Sequence, residues 1–326
     1  MPNLASPYRR RVLAAGIATA LGSLAPLRGG RAQSDSTLRL VVGYAAGGLA
    51  DRLARIVAEA LGEESPMRVI IDNRPGAGGL IAAEQVAKAA GDGRLALLHN
   101  VDALVQERVL KNDPAFDPLR NLTIVAPVAR FEYFLVANAK LGLRNLQDLI
   151  ALGRSTATGL FYVDAGSGVR LVFENLGRRF GLKLAGVPYR GLAPAMADLL
   201  EGRVELAMLD GATAPVHSAA GKVSVIGRGD AVRSAGSSSV PTLEEQGADG
   251  LWVDTRYALM LPAGATPAIV EPLRALVTGV LRKPSVRAQL AQGAYHPIDE
   301  TPEQFLRAVA DSVPHYRRLA QQAGML

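Results

Sequence analysis

The feature that most constrains this chain is a unit repeated along its first hundred residues: an apolar run, a glycine-rich loop, then apolar residues at helical spacing. Leu38–Tyr44 is followed by Ala45-Ala46-Gly47-Gly48 and a helical pattern through Leu61. Arg68–Ile71 is followed by Asn73-Arg74-Pro75-Gly76-Ala77-Gly78-Gly79 and a helix over Leu80–Ala90, and Leu95–His99 reads as a third strand. Continuous apolar strands alternating with helices predict a parallel sheet covered on both faces, an α/β arrangement.

Thr123–Val128 and Tyr133–Asn138 both read as strands with almost no turn between them, as when a chain leaves one sheet for another. The alternation then restarts. Helices are expected over Asn145–Leu152, Val169–Phe180 and Ala193–Glu201, with strands at Leu160–Val163, Ala185–Pro188, Leu206–Leu209 and Val223–Ile226. Leu251–Leu261 reads as a second crossing, and helices at Pro267–Leu281, Ser285–Gln292 and Pro302–Ala323 close the chain. Two crossings give two α/β lobes, 33–131 plus 255–326 and 132–254, with a cleft between them where a ligand is expected.

The first 32 residues read as an export signal. Arg9, Arg10 and Arg11 precede an apolar run from Val12 to Leu27, and Gly30-Arg31-Ala32 supplies a small-x-small cleavage site, placing the cut after Ala32. The route is Sec or twin-arginine. The run is too short and broken for a span, which needs roughly 20 apolar residues. Residues 1–32 hold five arginines and no carboxylate, so +1 of the formal net charge of +6 remains from Gln33 onward. The basic balance therefore gives no argument for a nucleic-acid partner. The chain has no cysteine, which rules out disulfides, thiolate nucleophiles and cysteine-ligated metals.

Glycine loops leading from a strand into a helix expose backbone N–H groups at the positive end of a helix dipole, which suits an anion. Gly47-Gly48 and Ala165-Gly166-Ser167-Gly168 are two such loops, one in each expected lobe, and the second adds a hydroxyl. Asp51 and Asp210 either cap helices or accept a hydrogen bond from a ligand. Arg170, in the first turn after the Ser167 loop, is unfavourable at a helix start unless an anion compensates it.

Several blocks carry a family resemblance. V-V-G-Y-A-A-G-G-L-A-D (41–51), I-D-N-R-P-G-A-G-G (71–79), G-D-G-R-L-A-L-L (91–98) and V-P-Y-R-G-L-A-P-A-M-A-D-L-L (187–200) resemble receptors of tripartite tricarboxylate transporters, also called Bug receptors. So do A-M-L-D (207–210), V-P-T-L-E-E-Q-G (240–247) and L-P-A-G-A-T-P (261–267). The resemblance runs from about residue 37 to 326. It implies a two-lobe periplasmic binding protein of type II that holds a small carboxylate and delivers it to membrane permease subunits. By position it places Gly47, Gly48 and Asp51 in a first ligand loop and Gly166 and Ser167 in a second, with Tyr189, Arg190, Gly191 and Asp210 bordering the cleft. Where the family's second loop has His, this chain has Arg170, and Asp164 replaces a small residue. Gly43 and Ala46 stand where the family usually has proline. The added charges pull ligand preference in opposite directions, so ligand identity does not carry over.

No catalytic residues, metal site or cofactor are expected. His99, His217, His296 and His315 show no metal spacing, and Ser167 sits in G-S-G rather than a G-x-S-x-G elbow. Gly76-Ala77-Gly78 starts a dinucleotide fingerprint, but Ile81 occupies the place of its third glycine. The expectation is a periplasmic, monomeric solute receptor rather than an enzyme. A ligand-sensing subunit of a signalling system is the alternative.

Overall fold

A computed structural model describes residues 37–111, 116–189, 191–230 and 239–326, and Thr37–Leu326 form one compact unit. The expected export signal and Arg190 lie outside the described residues. The chain begins β1 (Thr37–Val42), α1 (Leu49–Glu64), β2 (Arg68–Asn73), α2 (Leu80–Ala87), β3 (Leu95–Asn100), α3 (Val101–Lys111), α4 (Pro118–Asn121) and β4 (Leu122–Phe131). It continues β5 (Tyr133–Asn138), α5 (Leu146–Ser155), β6 (Leu160–Asp164), α6 (Ser167–Phe180), β7 (Leu184–Pro188), α7 (Leu192–Glu201), β8 (Leu206–Asp210), α8 (Thr213–Ala219) and β9 (Val223–Arg228). It closes with β10 (Arg256–Pro262), α9 (Pro267–Leu281), α10 (Pro284–Gln292), β11 (Tyr295–Pro297) and α11 (Pro302–Gln322).

Among the described residues these strands make two sheets, ordered β11-β4-β10-β3-β1-β2 and β7-β6-β8-β5-β9. The βαβ units pair in parallel, β1 with β2 and β3, and β6 with β7 and β8. The sheets are nonetheless mixed, where the sequence suggested a parallel one. β10 runs antiparallel to β3 and β4, β11 to β4, and β5 to β8 and β9. A strand that leaves for the second sheet and one that returns from it run in opposite senses, and this accounts for the antiparallel β4–β10 pair.

Strand alternation fixes both faces. Leu38, Leu40 and Val42 bury against Leu53, Val57 and Leu61 of α1 and Val277 of α9. Val41 points the other way, into a core with Ala83 of α2, Leu104 of α3 and Phe305 of α11. That second core also holds Leu135 of β5, Met208 of β8 and Phe173 of α6, so one apolar cluster connects the two sheets. Phe134, Val136 and Leu209 use the opposite face of the second sheet, against Ala195 and Leu199 of α7. Each fully buried Leu or Val contributes about 1.5–3 kcal/mol.

The start of α3 is tied down by charge. Asp102, fully buried, accepts hydrogen bonds from the Arg256 backbone N–H (2.9 Å), Arg256 Nε (3.0 Å) and the Tyr316 hydroxyl (3.0 Å). Arg256 also donates to Ser312 of α11 at 3.2 Å. A second buried cation, Arg228, donates to Glu132 at 2.6 Å and lies 3.2 Å from Asp230. Glu132 is the single residue between β4 and β5, so these ion pairs brace the segments where the chain changes sheets.

Candidate functional site

The first glycine loop is set by its own helix. Gly47 adopts φ +80°, in the region that favours glycine, and its N–H donates to Asp51 Oδ2 at 3.0 Å. Arg55, one turn on, donates to both oxygens of Asp51 at 2.9 and 3.1 Å. Burial works against the charge on Asp51. Hydrogen bonds from Arg55, the Gly47 N–H and Asn73, with the Arg55 charge, outweigh it and hold the carboxyl below the ordinary range. Asp51 thus shapes the loop from within. Gly48 caps α1 with no side-chain hydrogen bond, so the first N–H groups of the helix keep no partner within it.

The second loop repeats the device. Gly166 caps α6, and Gly191 caps α7, each with no side-chain hydrogen bond. Arg170 pairs with Asp164, Nε to Oδ2 at 2.9 Å and a terminal nitrogen at 2.8 Å. Burial disfavours the Arg170 charge, but the Asp164 carboxylate outweighs that and raises its pKa. The Arg170 and Asp164 departures therefore compensate each other, and together they add no net charge to the site. Tyr189 donates its hydroxyl to Asp198 of α7 at 2.6 Å, and its N–H to the Asp164 carbonyl at 3.0 Å. Asp210, nearly buried, accepts from the Ala212 and Thr213 N–H groups and the Thr213 hydroxyl, all at 3.0 Å, so it occupies the start of α8.

The structure adds residues that sequence reasoning missed. Ser167 donates its hydroxyl to Glu107 of α3, a bond from the second sheet's helix to one packed on the first sheet. Gln106, beside it, lies against Gly168, and its Nε2 is buried with no hydrogen-bond partner. Tyr44, at the end of β1, stacks on His99 at 4.5 Å and hydrogen-bonds Tyr257. Burial, with the nearby Tyr133 and Glu107, pushes the Tyr44 hydroxyl far above its usual pKa, so it remains a neutral donor. Tyr295 of β11 donates to the Leu49 carbonyl at 2.6 Å in the first turn of α1. Burial lowers the His99 pKa to about 4, which keeps the ring neutral near pH 7.

The glycines of N-R-P-G-A-G-G serve this packing. A Cβ on Gly79 or Gly43 would overlap the His99 ring, and one on Gly78 would overlap the Glu107 carboxylate. The block makes room for two side chains, and Gly78 lies inside a 3-10 turn, Ala77–Gly79.

Two mixed α/β sheets, joined at β4–β5 and β10, with uncapped helix N-termini on α1 and α6, define a two-lobe binding protein of the periplasmic type. The model of the tripartite tricarboxylate transporter family receptor matches residues 53–325, and the chain belongs to that family. Protein BugT of Bordetella pertussis is 31% identical over 88% of this chain and 89% of its own length. The periplasmic binding protein BugD superposes with a TM-score of 0.79 at 27% identity, over 89% of this chain and 98% of its own. Rpa4515 of R. palustris, solved with adipate, gives a TM-score of 0.79 at 30% identity, over 88% and 97%. Members of this family are solute-binding receptors.

Proposed function

We propose that this protein is a periplasmic receptor, not an enzyme, that captures one small carboxylate between lobes 33–131 plus 255–326 and 132–254 and presents it to membrane permease subunits. It acts as a monomer, exported by a signal cleaved after Ala32. The observation that carries the reading is the pair of glycine-capped helices, α1 and α6, each opening an N-terminus with no side-chain cap. Backbone amides and a helix dipole there stabilise a carboxylate without a cationic side chain. The adipate in Rpa4515 supports a carboxylate as cargo. Gly47, Gly48 and Ser167 hold it, Asp51 and Arg170 keep the loops in shape, and Tyr189, Arg190, Gly191 and Asp210 border the rest of the ligand. No helix among the described residues is long and apolar enough to cross a membrane.

A thermal-shift screen against mono-, di- and tricarboxylates tests this. A cognate ligand at about 1,000 times its Kd adds about 4 kcal/mol, which raises the midpoint by roughly 10 °C in a chain of this size. A flat response across all carboxylates would overturn the reading. Binding of a carboxylate without delivery to a permease would favour the signalling subunit.

A further inference from the structure

Away from the glycine loops, three stretches of chain run side by side where it passes between the two sheets. The Gly229 N–H donates to the Tyr133 carbonyl at 2.7 Å, and the Val253 N–H to the Gly229 carbonyl at 2.8 Å. The Thr255 hydroxyl donates to the Phe131 carbonyl at 2.6 Å. Asp230 and Asp254 stand near the two ends of the returning segment, one just past β9 and one just before β10. With Arg130, Glu132 and His296 they line a cavity of about 10 Å³, room for about one water. The Asp254 N–H donates to the Tyr316 hydroxyl of α11 at 3.2 Å.

Each of these two aspartates shares a guanidinium that another carboxylate holds more closely. Arg228 donates to Glu132 at 2.6 Å and lies 3.2 Å from Asp230. Arg256 donates to Asp102 at 3.0 Å and lies 3.7 Å from Asp254. Arg130, the cation at the cavity itself, is engaged by Glu300 at 3.2 Å. Asp230 is 6% exposed, and its Oδ1 has no hydrogen-bond partner. Burial raises the Asp230 pKa to about 6 against the pull of Arg228. Burial, then the Asp102 charge, moves Asp254 in the same direction. Glu132 and His296 also line a wider pocket of about 520 Å³, between Gly211 and Ala214 on one side and Ala291 and Ala294 on the other.

We infer that Asp230 and Asp254 form a proton-binding site in the hinge, and that closure of the lobes takes up protons there. Closing narrows the wider pocket and withdraws water from the carboxylates behind it, which favours their neutral forms. By linkage, the receptor holds its cargo more tightly as the medium acidifies. The inference goes beyond the carboxylate-receptor reading and rests on it only for the cargo that drives closure.

The test replaces the pair by its uncharged isostere. A carboxyl pKa raised by folding gives stability that is present at low pH and lost as pH rises through about 6. Asp230→Asn with Asp254→Asn stays neutral at every pH. It therefore raises the thermal midpoint by about 5 °C near pH 7.5, and that gain falls to about half near pH 5. His99 and His315, depressed by burial, act the opposite way in this window, and the difference between wild type and variant cancels them. His296→Gln leaves that difference in place. Each single Asn variant carries part of the gain, so a double variant that fails to fold does not end the test. Calorimetric titration with succinate, glutarate and adipate near pH 6 and pH 8 reads the coupling. Wild-type affinity gains about threefold or more over the double variant at the lower pH, a comparison in which ligand ionisation cancels. A midpoint difference that does not change with pH overturns the proton site. Equal pH dependence of affinity in the two proteins overturns its coupling to closure. Failure of every carboxylate to bind overturns the receptor reading and the coupling with it, whereas the midpoints still decide the proton site.

Discussion

Asp102→Ala is expected to lower the unfolding free energy by about 3–5 kcal/mol, because it strands a buried cation. Asp102 has no exposed surface and accepts four hydrogen bonds, three of them from Arg256. In its absence the guanidinium keeps Ser312 at 3.2 Å and Asp254 at 3.7 Å. Asp254, at 3.7 Å, lies beyond hydrogen-bond distance of the guanidinium, so it does not replace the bonds that Asp102 accepts. The network joins α3, α11 and the start of β10, and its loss loosens the helix that carries Gln106 and Glu107. Asp102→Leu combined with Arg256→Met is expected to recover much of the loss, since removing both charges removes the desolvation cost as well. Urea unfolding measures all three. A cost below about 1 kcal/mol for Asp102→Ala would mean that the network does not hold α3.

Gly79→Ala is expected to cost about 2–5 kcal/mol, combining a left-handed backbone at φ +94° with overpacking. The new methyl group would fall inside the imidazole of His99, which is fully buried and held by its Nδ1 contact with the Asn100 carbonyl at 2.9 Å and by the Tyr44 stack. The ring has nowhere to go. In a His99→Ala background the steric part disappears, so the added cost of Gly79→Ala falls to the backbone strain of about 1–2 kcal/mol. Equal costs in the two backgrounds would show that the ring does not fill that space. The double-mutant cycle reads this difference directly.

Much of this architecture is legible in the sequence, because buried strands and glycine loops are strong local signals. Tyr133–Asn138 and Pro267–Leu281 coincide with β5 and α9, and Leu206–Leu209 falls one residue short of β8. The chief omission is α3. Its inward face carries Asp102 and Gln106 among Val101, Leu104, Val105 and Val109, so buried polar residues interrupt the apolar period that would reveal it. That omission also hid Glu107. The tyrosines escaped for another reason: Tyr44, Tyr133, Tyr257 and Tyr295 are far apart in sequence and meet only through the sheet order. β11, three residues long, follows from its pairing with β4 rather than from any local pattern. Asp51, Asp210 and Arg170 were visible as charged residues near loops, but sequence could not show that each already has an internal partner.

The account turns on the two glycine loops holding one and the same carboxylate. The most direct measurement is calorimetric titration of a bound carboxylate against wild type, Gly47→Val, Gly166→Val and the double variant. Gly47 and Gly166 have φ of +80° and +149°, conformations a β-branched residue rarely adopts, and a Cβ at either meets nothing within 4 Å. Each substitution therefore acts on the loop backbone rather than through a packing clash. The account predicts one ligand per chain, about tenfold or greater weakening by each single variant, and non-additive losses in the double variant. Affinity unchanged by either substitution in a folded protein would contradict it and place the ligand elsewhere.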